Sequence, residues 1–113
     1  MIRWTVALSV AVLILSGCGE KTPEQKAASE AAMTKIKIER MAREFATGAL
    51  KDPGSAEFRN QNEFCGEVNS KNSFGGYTGF QRFIAASRDL VVFERDSGLS
   101  PAEFAKAWNQ VCL

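Results

Sequence analysis

Three cysteines are the residues whose chemistry is most restricted by position: Cys18 follows a long apolar run, while Cys65 and Cys112 lie far apart in the remainder of the chain. A thiol can be acylated, oxidised to a disulfide, or used as a nucleophile or metal ligand once deprotonated. The chain contains no histidine, so it lacks both the usual general base and the commonest transition-metal ligand. No Cys-x-x-Cys spacing or cationic cluster marks a thiolate, and serine and threonine, though plentiful, have no base partner that singles out a nucleophile. Glu63 and Glu67 have the spacing of an acid and a base on one strand. Residues four apart share a strand face in any sequence, so the expected state of the two carboxylates is solvated or ion-paired. No catalytic residue, metal or cofactor is expected, and the reading is of a non-enzyme.

A second candidate is the loop from Asn69 to Gly79, which holds Phe74, Gly75, Gly76 and Tyr77 in an otherwise polar stretch. Glycine permits positive φ and close backbone approach, and the two aromatics offer flat apolar surface with one hydroxyl. Such a loop can present itself to a glycan, a peptide or a protein edge. The competing reading is a hairpin whose aromatics fold back over one end of the core. A phosphate-cradling loop is disfavoured, because no Gly-Lys-Ser/Thr follows the glycines and no helical pattern begins there.

The first of these cysteines closes a recognisable leader. Arg3 gives a positive start, and Trp4 to Leu15 is a run of 12 residues in which only Thr5 and Ser9 are polar. As a helix that run reaches roughly 18 Å, well short of a roughly 30 Å hydrocarbon core, and it suits a signal peptide better than a stable span. Leu15-Ser16-Gly17-Cys18 resembles the lipobox of bacterial lipoproteins. The resemblance implies cleavage after residue 17 and a diacylglyceryl group on Cys18. It also implies sorting to the outer membrane, because residue 19 is glycine and not the aspartate that retains family members in the inner membrane. Two or three acyl chains would make release negligible, and residues 18–22 would be a tether of roughly 17 Å at full extension.

With Cys18 acylated in an oxidising compartment, the one intramolecular pairing left is Cys65 with Cys112. The loop so closed has 48 residues, for which chain entropy gives about 4 kcal/mol, comparable to the whole net stability of so small a domain.

The elements that must position these groups follow from local signals. The 113 residues, 45% hydrophobic and 24% charged, fit one small globular domain. The full chain carries 14 Lys plus Arg against 13 Asp plus Glu; removing residues 1–17 takes away Arg3 and leaves a formally neutral mature chain. No strong field steers nucleic acid to it. Thr22-Pro23-Glu24-Gln25 is a capping box with proline at the first helical position, predicting a helix from residue 23 to about 50. Ile38, Met41, Phe45 and Ala49 form its apolar stripe, and Lys35/Glu39, Glu39/Arg43 and Arg40/Glu44 pair charges on the other side. Residues 24–35 are alanine- and charge-rich and have little to bury, so they can project as a stalk.

Asp52-Pro53-Gly54 ends the helix. Beyond it, residues 51–113 are expected to form a disulfide-braced unit with strands at about 56–64, 65–69, 79–86 and 90–95 and a turn at Ser87-Arg88-Asp89. Phe83-Ile84 and Val91-Val92-Phe93 are apolar on both parities, which a sheet buried on both sides over part of its area would explain. Ser100-Pro101-Ala102-Glu103 is a second capping box, flanked by Leu99 and Phe104 as a hydrophobic staple, and its helix carries Phe104, Trp108, Val111 and Cys112. The expected fold is α+β: an N-terminal helix, a four-stranded antiparallel sheet and a C-terminal helix, with both helices on one side of the sheet.

Lys51-Asp52-Pro53-Gly54-Ser55-Ala56-Glu57-Phe58 and the stretch from Cys65 to Gly79 are similar to a pattern in small uncharacterised exported proteins of bacteria and their phages. That resemblance implies a domain and carries no activity. The functional expectation is a lipid-anchored envelope protein facing the periplasm, which binds or assists another envelope component through Phe74, Tyr77 and their glycines. A structural subunit of an envelope or secretion assembly, a phage exclusion factor and an envelope hydrolase are the alternatives.

Overall fold

Both helices start where the capping signals put them. The computed structural model describes residues 19–113, and the lipobox-like Leu15, Ser16, Gly17 and Cys18 lie outside these. Helix α1 spans Pro23–Gly48, with the Thr22 hydroxyl accepting from the Gln25 N–H and the Gln25 side chain accepting from the Thr22 N–H. Helix α2 spans Pro101–Val111 and repeats the arrangement with Ser100 and Glu103. A short 3-10 turn, Pro53–Ser55, follows α1 and redirects the chain.

Four strands lie between the helices: β1 Glu57–Asn62, β2 Cys65–Asn69, β3 Gln81–Ser87 and β4 Leu90–Phe93. They form one antiparallel sheet in the order β1-β2-β3-β4, each strand hydrogen-bonded to its sequence neighbour. The β1–β2 turn falls at Glu63-Phe64, and Asn60 and Glu63 take left-handed backbone (φ 50° and 53°) where the ladder is irregular. Glu39 of α1 holds this turn: its carbonyl accepts from the Gln61 side chain and its carboxylate from the Glu63 N–H.

The helices lie on opposite faces of the sheet, which corrects the expectation of one side. The reason is the parity of β3. Phe83 and Ala85 face α1 and cluster with Ala42, Ala46, Val68 and Phe93, while Ile84 faces α2 and clusters with Cys65 and Phe104. Successive strand residues point to opposite faces, so an uninterrupted apolar run requires cover on both. Phe83 is fully buried and meets the Phe58 ring edge-on at 5.6 Å between centroids. Burial of such a side chain contributes about 1.5–3 kcal/mol.

The apolar stripe of α1 is also displaced from its expected position. Ala42 and Ala46 are the buried residues, Ile38 and Phe45 are half-buried, and Met41 and Ala49 are exposed. Small side chains let the helix backbone approach the Phe83 layer, a preference that a hydrophobicity count does not weigh. Of the three expected charge pairs, Lys35–Glu39 comes within 4.0 Å. On α2, Phe104 is buried and Ala107, Trp108 and Cys112 pack around it, but Val111 faces solvent. From Pro23 to Lys37, α1 is exposed except for half-buried Ser29. About 15 residues at 1.5 Å each therefore stand clear of the sheet over some 22 Å.

The expected disulfide is present: Cys65 and Cys112 are bonded with their Cα atoms 5.9 Å apart, joining β2 to the end of α2. Changing Cys112 to serine should lower stability by about 2–5 kcal/mol, and an unchanged melting temperature would contradict that role. Gly66, opposite Phe83 in the ladder, is required by space: a Cβ there would lie 3.0 Å from two Phe83 ring carbons and 3.1 Å from the Gln61 Cα. Gly66→Ala should therefore cost about 1–3 kcal/mol, read as a lower denaturant midpoint at constant m-value.

Candidate functional site

The β2–β3 connection leaves the sheet at Asn69 and is rebuilt as a small hairpin of its own. Lys71 and Tyr77 pair as an isolated antiparallel bridge, and the Asn72 N–H donates to the Gly76 carbonyl at 2.9 Å. The Asn72 side-chain oxygen accepts from the Phe74 and Gly76 N–H groups at 2.9 and 3.2 Å, so one asparagine closes the tip. Gly75 takes φ +80° there and Gly79 takes φ +89° at the return, backbone that glycine adopts without steric cost. The loop is tied to the domain from three directions. The Asn69 side chain accepts from the Gly79 N–H, and Arg95 donates to the Thr78 and Gly79 carbonyls at 3.2 and 3.0 Å. Ser55 takes the Lys71 N–H on its hydroxyl and the Tyr77 hydroxyl on its carbonyl.

This arrangement separates the two aromatics that the sequence grouped together. Tyr77 is a pin: its phenol donates to Ser55, and desolvation, with the charge of Glu57, raises its pKa above the usual value, so it stays neutral. Phe74 does not fold back over the core; its side chain is 97% exposed at the tip beside Gly75 and Gly76. Sequence reasoning missed Asn69, Asn72, Ser55 and Arg95. An asparagine ahead of glycines signals a side-chain-capped turn, but nothing local indicates that Arg95 reaches across to Thr78.

Beside the loop base, under the end of α1, is an open groove of about 540 Å³. Leu50 and Phe93 supply its apolar side, and Lys51, Lys71, Arg95 and Asp96 its charges. The Asp96 carboxylate accepts from buried Gln81, whose side-chain oxygen takes the Arg95 N–H.

The α2 side of the sheet carries a row of alternating charge, Arg59, Glu67, Arg82 and Glu94, one from each successive pairing position. Arg59 meets Glu67 at 3.2 Å and Arg82 meets Glu94 at 3.1 Å. The Arg82 guanidinium also lies 5.2 Å from the Phe104 ring centre and 5.1 Å from that of Trp108, which ties the row to α2. Glu63 and Glu67 are solvated and ion-paired respectively, as expected of them, and they do not share a strand face, since Glu63 sits in the β1–β2 turn and Glu67 pairs with Arg59. A hydrogen bond from Asn60, with Arg59 behind it, holds the Glu67 carboxyl below its ordinary range, and Arg82 does the same for Glu94.

Among the described residues no group of three or more acidic, cysteine or histidine side chains is placed to hold a metal ion, and no helix is long and apolar enough to cross a membrane. No protein-family profile, curated protein or solved structure matches the chain.

Both depressed carboxyls stabilise the fold in their charged form. Their contribution is complete above the ordinary value of 4.5 and is lost as pH falls through the lower native values. Melting temperature should therefore fall on acidification below about pH 4.5, and less steeply in a Glu67→Gln/Glu94→Gln variant. Parallel curves for the two proteins would contradict the ion-pair assignment.

Proposed function

We propose that the chain is an envelope lipoprotein, held by lipid on Cys18 at the outer membrane and facing the periplasm, whose α+β domain is a non-enzymatic binding module for another envelope protein. The observation that carries the reading is Phe74: a phenylalanine 97% exposed at the tip of a loop whose backbone is fixed by Asn69, Asn72, Ser55 and Arg95. A side chain with two rotatable bonds on a backbone that is already fixed loses less conformational entropy on docking than one on a loose loop. The anchor rests on Leu15-Ser16-Gly17-Cys18 and the apolar run before it. Helix α1 fits the same reading, since its exposed first half acts as a spacer between a lipidated end and the sheet.

A second reading has its own observation. Met33 and Ile36 are 58% and 50% exposed on the projecting half of α1, a surface by which an accessory subunit could be held in a larger assembly.

A photo-crosslinking residue placed at position 74 in cells should give a discrete protein adduct, and one at position 36 should not; the reverse result would favour the assembly subunit. Phe74→Ala should weaken capture of the adducted partner roughly 30-fold, equivalent to about 2 kcal/mol, and leave stability within about 0.5 kcal/mol. Radiolabelled fatty acid should enter the wild-type protein and not Cys18→Ser, and an unlabelled wild type would remove the lipoprotein assignment.

A further inference from the structure

The groove beside the loop has a charge that the rest of the molecule does not share. Residues 19–113 carry 13 basic and 13 acidic side chains, yet Lys51, Lys71 and Arg95 line the groove with Asp96 as its one acidic lining residue, while Asp52 and Glu57 lie on the Tyr77 side and Glu94 beside Arg95. None of the ion pairs among the described residues uses these three cations. Arg95 donates to two neutral carbonyls, which orients its guanidinium without cancelling its charge. Lys71 keeps its ammonium 5.5 Å from the Tyr77 ring centre, an attraction that also leaves the charge whole. Asn72 adds a free donor, since its side-chain oxygen is taken by Phe74 and Gly76 while its amide nitrogen is not used in closing the tip.

Two features bear on what fits there. The carboxyl end of α1 borders the groove and by itself disfavours an anion, but the Ala46 and Thr47 carbonyls already accept from the Ala49 and Leu50 N–H groups, and Lys51 follows directly. Half-buried Leu50 makes one side apolar, with only an edge of the buried Phe93 behind it, and a bare inorganic anion leaves that side unfilled. A volume of about 540 Å³ is in the range that holds a ligand of drug size, or a few residues of an extended chain.

We propose that this groove binds a short acidic peptide segment in which carboxylate side chains alternate with apolar ones, the carboxylates meeting Lys51 and Lys71 and the apolar groups meeting Leu50. The inference rests on the reading of the loop end as the binding face and names the chemistry of the partner segment that lies next to Phe74. Asn72 belongs to both the groove and the tip, so an extended segment leaving the groove reaches the Phe74 ring.

The test is a titration of the isotope-labelled full chain in detergent with the blocked peptide Leu-Glu-Leu-Glu, its counterpart Leu-Gln-Leu-Gln, and inorganic phosphate. The acidic peptide should shift the amide resonances of Lys51, Ser70, Lys71 and Thr78. Its affinity should fall at least tenfold in Lys51→Gln/Lys71→Gln, and fall with added salt as charge pairing requires. Three outcomes overturn the proposal: no shifts, equal binding of the glutamine peptide or by the double variant, and phosphate alone reproducing the pattern at the same concentration. Position-74 adducts that persist undiminished in the double variant, together with no peptide binding, would remove the groove and leave the loop reading intact. Peptide binding without any cellular adduct would do the opposite.

Discussion

The structure depends on β3 having two apolar faces. Phe83 and Ala85 cannot be turned inward without turning Ile84 outward, so a single covering helix would leave one apolar face wet. The chain meets this constraint with one helix from each end of the sequence: α1 covers the Phe83 face and α2 covers the Ile84 face. The two layers are unequal. The α1 side has the larger cluster and needs the bare Gly66 to accommodate the Phe83 ring. The α2 side has a short helix over a small cluster, reinforced by the covalent link from Cys65 and by Arg82 beneath Phe104 and Trp108.

That division explains where the candidate site sits. The loop and groove are built from the ends of β2 and β4, the turn after α1 and the residues just past Phe93. They belong to the α1 layer, and α2 contributes no lining residue. Helix α1 thus has two halves with different work: the second covers Phe83 and ends at the groove, and the first stands clear of the sheet. Its 26 residues place the groove end about 39 Å from the helix start.

How much could be read from the sequence depended on how local each signal was. Both capping boxes involve side chains three residues apart, and both formed as read. The four antiparallel strands followed from branched and aromatic runs, and two-sided burial was visible in Phe83-Ile84 and Val91-Val92-Phe93, but their order in the sheet was not read. What parity does not give is which helix covers which face, so the one-sided arrangement was a natural misreading. Apolar counting favoured Met41 over Ala42 and Ala46 because it ranks size, while close helix–sheet packing selects smallness. In the loop, composition marked Phe74 and Tyr77 together, and only the Ser55 carbonyl distinguishes the pin from the presented ring. Arg95 lies 16 residues from Gly79 in sequence, and the cationic groove is assembled from four separate segments, so neither leaves a local pattern.

The claim on which the functional account turns is that the loop is already formed before any partner arrives. Amide hydrogen exchange on the unbound protein measures this directly, residue by residue. The Phe74, Gly76 and Gly79 amides, which donate to Asn72 and Asn69 side chains, should exchange well below unstructured-peptide rates, though faster than Phe83 and Ile84 in the sheet centre. If these three amides exchange as freely as an unfolded chain, the loop is not a prepared surface and the account of Phe74 as a side chain presented on a fixed backbone fails.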